Sequence, residues 1–241
     1  MSRKTAAIAT YHKSWNYGAC LQAYASLVVF ENLGYEAALI NYLNVDERPK
    51  TAFDFLVSGN IKEAVATAIK DIVFGCRGNA LSAFDAFHEG LKRTSPVKGA
   101  NDLASLHADV LVAGSDQIWN PEISGGKLDP VFMLDSVDAA KRISFASSAG
   151  SHKFTRDEQE ELKHALEKYD AVSVREDYLG DQINGLMGSR PFKCLDPTLV
   201  LSSEQWALEE KNRLVLKRGI DTYWLLHSGQ TIGMVLSFGG N

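Results

Sequence analysis

Asp116 sits in the run Gly114-Ser115-Asp116-Gln117, directly after the apolar stretch Val110–Ala113, and its carboxylate could take a proton from a hydroxyl group. It could equally cap the backbone N–H groups of Gln117 and Ile118. Trp119, just beyond, could offer a stacking face to a sugar ring or fill the core. A second group, His12, Lys13, Trp15, Asn16 and Tyr17, gathers just before Gly18, where a helical pattern begins. Gly18 would let free N–H groups at a helix start approach an anion, with charge added by Lys13 and His12. The plainer alternative is that Asn16 caps the helix and Gly18 relieves crowding. Ser147 and Ser148 bring hydroxyls. Arg175 either clamps a carboxylate or phosphate with its planar fork or pairs with Glu176 or Asp177. Asp196-Pro197-Thr198 reads as a rigid turn whose Asp accepts local N–H bonds.

Elements that would position these groups are legible in the apolar pattern. Thr5 to Thr10 reads as a short buried strand. Tyr17, Cys20, Leu21, Tyr24, Leu27 and Val28 then fall on one helix face, and Gly34 supplies a stop before a strand over Tyr35 to Tyr42. Strand, helix and strand in that order imply a parallel sheet. Further strands are expected over Asp109 to Asp116, in "RISFASSAGS" from Arg142, in "AVSV" and in "FKCLD". Thr155 with Glu158 forms a capping box for a helix running to about Lys168, and Ser202 with Gln205 suggests a last capped helix. Ligands of open parallel sheets bind beyond the carboxyl ends of the strands, where all the groups above lie. The expected fold is therefore α/β, a doubly wound, mostly parallel Rossmann-like sheet over residues 1–210. A helical insertion is expected near 46–100, and 211–241 forms an apolar tail.

Composition excludes several classes. With 45% apolar and 23% charged residues, the 241-residue chain is neither disordered nor fibrous. A net charge of -5 gives no reason to expect a nucleic-acid partner. Three well-separated cysteines, Cys20, Cys76 and Cys194, point to reduced cytoplasmic thiols. No apolar stretch approaches the ~20 residues of a membrane span. No GxGxxG follows the first strand, no P-loop or GxSxG occurs, and no His pair has metal-ligand spacing, so neither a cofactor nor a metal is expected. The tail segments "YWLL" and "MVLSF" would expose apolar surface unless covered, which favours self-association.

"NYGACLQAYA", "DVLVAGSDQIWNP", "RISFASSAGS", "YDAVSVRE" and "LDPTLVLSSEQW", in this order over Thr5 to Trp206, resemble the polysaccharide pyruvyl transferase family. The resemblance implies the first lobe of an architecture similar to the GT-B glycosyltransferases. It implies transfer of a pyruvyl group from phosphoenolpyruvate, as donor substrate, to a glycan acceptor in cell-surface polysaccharide synthesis. Such chemistry needs a base near the sugar hydroxyls, a proton donor to the methylene carbon and cations for the donor. On this reading Asp116 is the catalytic base. The substrate-binding set is His12, Lys13, Asn16, Tyr17, Gly18, Gly114, Ser115, Gln117, Trp119, Ser147, Ser148 and Arg175.

Family members carry a second lobe beyond the segment matching "DPTLVLSSEQW", whereas this sequence stops at Asn241, so a truncated or inactive transferase lobe is one expectation. A non-catalytic sugar-binding or assembly module is another, and a lobe that takes a nucleotide-sugar donor is a third.

Overall fold

A computed structural model describes residues 3–14, 16–44, 78–135, 141–206, 225–227 and 230–232, with scattered positions between 56 and 69. The chain divides into two compact units, Met1–Leu201 and Ser202–Asn241. The first unit holds a parallel sheet of β1 (Thr5–Ala9), β2 (Glu36–Asn41), β3 (Arg93–Pro96), β4 (Val110–Ala113) and β5 (Lys141–Ser144), in the order β3-β2-β1-β4-β5. Parallel bridges Ile143↔Ala171 and Ser147↔Val174 carry the pattern on to β6 (Ser173–Val174), which pairs with β7 (Phe192–Lys193). Helices α1 (Tyr17–Asn32), α2 (Gly78–Gly90), α3 (Arg156–Leu166) and α4 (Asp177–Met187) join the strands. The fold is α/β and Rossmann-like, with the strand order reversing between β1 and β4.

Side chains alternate across each strand, and this splits the core into two layers. Ala6 and Ile8 of β1 join Ala37, Leu39, Val110 and Val112 on one face, under Ala23, Leu27 and Phe30 of α1. Ala7 and Ala9 face the other way with Leu111 and Ala113, against Leu162 and Leu166 of α3 and Leu179 and Ile183 of α4. The buried surface of α1 is wider than the apolar spacing predicts. It takes in Gln22 and Ser26, while Leu21, Tyr24 and Val28 are only half-buried. Those polar groups are buried because each is bonded. Gln22 Nε2 donates to Thr10 Oγ1 (2.9 Å) and Tyr11 O (2.9 Å), and Ser26 Oγ donates to Gln22 O (2.8 Å).

Other elements differ from the sequence reading. Arg93–Pro96 lies inside the span expected as a helical insertion, yet pairs with β2 as the edge strand of the sheet. Its Pro96 suits an edge, where a missing N–H costs no inner ladder bond. Most of residues 46–77 in that expected insertion lie outside the described residues. Helix α4 went unread because Gly180 and Gly185 interrupt its pattern. It ends at Gly188, at a φ of 69° that glycine adopts freely. In the second unit, Ser202 and Gln205 bond reciprocally (2.9 and 3.3 Å), and Leu225–His227 (β8) pairs antiparallel with Gln230–Ile232 (β9). The remainder of the apolar tail, with the self-association expected of it, lies outside the described residues.

Three features set the strand exits. At Gly114 (φ 124°) the chain leaves β4 so close to β5 that an added Cβ would stand 2.2 Å from Phe145 O. Buried Asp129 ties the exit of β2 to the segment after Trp119. It accepts from Tyr42 Oη (2.8 Å), from Asn44 Nδ2 and from Val131 N (2.8 Å). His152 bridges Glu122 Oε1 (3.1 Å) and Glu158 Oε2 (3.0 Å), and Glu158 also completes the capping box with Thr155 that opens α3.

Burial favours the neutral ring of His152, but the two carboxylates outweigh it and raise its pKa above 6.5. Burial likewise works to raise Glu158, yet the Thr155 N–H and His152 hold its carboxyl below 4.5. The histidine's contribution is therefore complete below about pH 6.5 and fades as pH climbs through its raised folded value. The glutamate's is complete above about pH 4.5 and fades as pH falls through its lowered value.

Replacing His152 with Ala should thus lower Tm more at about pH 6 than at about pH 8.5, and an equal loss at both would show that charge plays no part. Gly114→Ala should cost at least about 2 kcal/mol in chemical denaturation, since it adds both a close contact and an unfavourable φ. An unchanged denaturation midpoint would show that β5 can yield.

Candidate active site

The exits of β1 and β4 meet where the strand order reverses, the place at which open α/β sheets take ligands. Thr10, the first residue past β1, donates its hydroxyl to Ser115 O (2.8 Å) and so fastens one exit to the other. Gln22 holds that threonine from α1. Beyond Gly114, whose peptide bond to Ser115 is cis, Asp116 adopts φ 75°, a left-handed value that Asp tolerates better than most residues. Its Oδ1 accepts Gln117 N (2.8 Å), which is the capping role the sequence also allowed. Burial pushes the Asp116 carboxyl above its ordinary range. Gln117 N–H and Arg175 oppose the shift, while the charges of Asp196 and Glu176 add to it.

From the next exits come the groups that surround this carboxyl. Ser148 N donates to Asp116 O (3.0 Å), while Ser148 Oγ donates to Glu176 Oε1 (2.8 Å), so one serine ties the two acidic residues together. Arg175 donates from Nε to Glu176 Oε1 (2.7 Å) and from Nη1 to Asp196 Oδ2 (2.8 Å). Asp196 Oδ1 accepts Thr198 N (3.0 Å) and Thr198 Oγ1 (2.7 Å), so it caps its own turn and anchors the arginine as well. Burial works against the charge on Arg175, but its two carboxylate partners hold the proton more tightly than usual. The cluster is one cation among three acidic side chains, an arrangement suited to hydroxyl protons and unfavourable to an incoming phosphate.

Not every expected residue joins it. Trp119 is fully buried, donates Nε1 to Phe132 O (3.3 Å) and packs edge-on against Tyr169. A stacking platform needs an open face, so Trp119 belongs to the core. Ser147 is also fully buried and spends its hydroxyl on Ala113 O (2.9 Å), bracing β4 against β5. Gln117 accepts from Asn120 Nδ2 (3.1 Å), and its amide packs so tightly on Gly150 that a Cβ there would lie 2.7 Å from Oε1.

The loop after β1 divides between structure and charge. Asn16 accepts Ala19 N (3.3 Å) and so caps α1, and a Cβ at Gly18 would sit 3.2 Å from Asn16 Oδ1. The ring of Tyr17 packs on Phe84 of α2 at 4.6 Å. His12 is fully buried and bonds Thr10 O through Nδ1 (3.1 Å). Burial, with the positive charge of Lys13 and Arg93 beyond it, lowers its pKa to about 4. His12 is therefore neutral at physiological pH and adds no charge for an anion, which corrects the sequence expectation. Lys13 is the cation of this loop and donates to Asn41 Oδ1 (3.2 Å). Arg93 was missed because its strand was read as insertion. Glu176 was read only as a partner for Arg175. No local pattern marks either as part of a site.

Among the described residues, no group of three or more His, Cys, Asp or Glu is placed to hold a metal ion. Nor is any described helix long and apolar enough to cross a membrane. No curated protein and no solved structure matches the chain. The family model for polysaccharide pyruvyl transferase matches residues 16–232, a span that takes in the capped start of α1, the Asp116 turn and the Arg175 cluster. That match covers most of the sequence, and the chain belongs to the polysaccharide pyruvyl transferase family.

Proposed function

We propose that this protein transfers the pyruvyl group of phosphoenolpyruvate to a pair of hydroxyls on a cell-surface polysaccharide, forming a pyruvate ketal. The observation that carries the reading, beyond family membership, is the Asp116 carboxyl, raised by burial at the reversal point of the sheet. A carboxyl moved upward toward neutrality is a better proton acceptor than an ordinary aspartate.

The chemistry balances without a redox step. One sugar oxygen bonds to C2 of the enolpyruvyl group as C3 gains a proton. The second oxygen then replaces the bond from C2 to phosphate. The two hydroxyl protons end on C3 and on the departing phosphate. Asp116 takes the proton of one attacking hydroxyl, and Gly114, Ser115 and Ser148 shape the turn around it. Lys13, with Arg93 adding positive charge near the same loop, is the cation assigned to the donor's phosphate or carboxylate. Arg175 holds its neighbouring carboxylates in place instead of the donor. A cytoplasmic setting is in keeping with the free thiols of Cys20 and Cys194.

The test is phosphate release from phosphoenolpyruvate across a panel of glycan acceptors. Release that requires an acceptor, with kcat/KM rising as Asp116 ionises, is the expected result. Asp116→Asn should fold as well as the parent, since Asn accepts the left-handed backbone and carries no charge to bury. It should lose about 10²–10⁴ of the rate. Glycan binding with no phosphate release from any acceptor would assign a sugar-binding module instead.

A further inference from the structure

Two polar atoms, one in the Asp116 turn and one in the Arg175 cluster, are buried without a partner among the described residues: Ser115 Oγ and Glu176 Oε2. Ser115 is fully buried, and its backbone carbonyl, held by Thr10, pins it within the turn that carries Asp116. Glu176 is fixed from its other oxygen, where Oε1 accepts both Ser148 Oγ (2.8 Å) and Arg175 Nε (2.7 Å). Ser148 binds Asp116 O at the same time, so the free oxygen of Glu176 is carried on the framework that positions Asp116. Buried polar groups in folded proteins are almost always satisfied, and exceptions call for something that completes them. A hydroxyl donor would satisfy Glu176 Oε2, and an oxygen acceptor would satisfy Ser115 Oγ. A sugar diol offers both.

We propose that Ser115 and Glu176 complete an acceptor subsite for two neighbouring sugar hydroxyls, with Glu176 receiving the hydrogen bond, and then the proton, of the hydroxyl that Asp116 does not serve. This rests on the pyruvyl-transfer reading for its chemistry, because a ketal breaks two O–H bonds in turn and Asp116 accounts for one. The proton taken by Glu176 passes to the departing phosphate, so the balance given above is unchanged. Arg175 fixes the orientation of the Glu176 carboxylate by pairing with its other oxygen.

The experiment is calorimetric titration of the whole chain with methyl glycosides of glucose, galactose and mannose, and with singly deoxygenated analogues of any that bind. The expected result is binding that weakens about tenfold or more in Ser115→Ala and in Glu176→Gln. Deleting the hydroxyl that Glu176 receives should cost much less in Glu176→Gln than in the parent, as coupled partners require. Ser115→Ala should leave Tm unchanged or raise it, because it removes a buried group with no partner among the described residues. A lowered Tm would mean that the hydroxyl serves the fold, and would overturn the assignment. So would the absence of glycoside binding, or equal affinity in parent and variants. Should Glu176→Gln fail to fold through loss of its Arg175 contact, Ser115→Ala alone still decides.

The two readings fail separately. Glycoside binding lost in both variants, with no phosphoenolpyruvate consumed by the parent, would keep the subsite and sink the transferase. Acceptor-dependent phosphate release, with glycoside affinity indifferent to both substitutions, would do the reverse.

Discussion

The site depends on the hydrogen bond from Thr10 Oγ1 to Ser115 O and on the absence of a Cβ at Gly114, where the chain passes too close to Phe145 O to admit one. A sheet whose strand order reverses between β1 and β4 leaves a crevice at that point, because the connections leave to opposite sides. Thr10 closes the base of the crevice. Gly114 lets the β4 exit pass within contact distance of Phe145 O before it turns outward, and the left-handed backbone of Asp116 completes the turn. A larger residue at 114 would move Ser115 and Asp116 together, since the chain between them has no slack.

Electrostatics then decide what the crevice can hold. Arg175 is shared between Glu176 and Asp196, so its charge is spent within the protein. Asp116 lies near this group, and the negative charges of Asp196 and Glu176 add to burial in raising its pKa. A lone carboxylate on an exposed turn would titrate in its ordinary range and make a weak base. Positive charge lies instead around Lys13 and Arg93, close to a histidine that burial keeps neutral. The acidic side chains of Asp116, Glu176 and Asp196 thus lie at the exits from β4 to β7, and the cations Lys13 and Arg93 lie by β1 to β3. That division suits a reaction joining a hydroxyl-bearing acceptor to an anionic donor.

Buried polar residues bind the exits to the layers beneath. Gln22 reaches from α1 to Thr10 and Tyr11, Asp129 gathers Tyr42 and Asn44, and Ser147 braces β4 against β5. Each bond crosses between separate elements, so the exits move with the sheet and not as independent loops. A satisfied buried network of this kind specifies one arrangement of its parts, since any partial rearrangement strands a donor or acceptor.

By itself, the sequence determined the α/β class, the parallel order of most strands, the capping box at Thr155 and Glu158 and the turn that carries Asp116. Those features follow from local periodicity and from short-range bonds between residues three or four apart. Strand Arg93–Pro96 was hidden because a four-residue edge strand containing proline has no apolar alternation to show. Helix α4 was hidden by its glycines. Sequence also left Asn16, Trp119 and Arg175 each with two roles. Asn16 resolves locally, through its bond to Ala19 N three residues on, whereas only tertiary structure could choose for the other two, by placing Trp119 against Tyr169 and Arg175 between Glu176 and the distant Asp196. The same holds for His12, whose ring is charged or neutral according to how much protein surrounds it. Burial and long-range pairing are sums over neighbours that the linear order does not reveal, and they set which of these residues carry charge where the strand order turns.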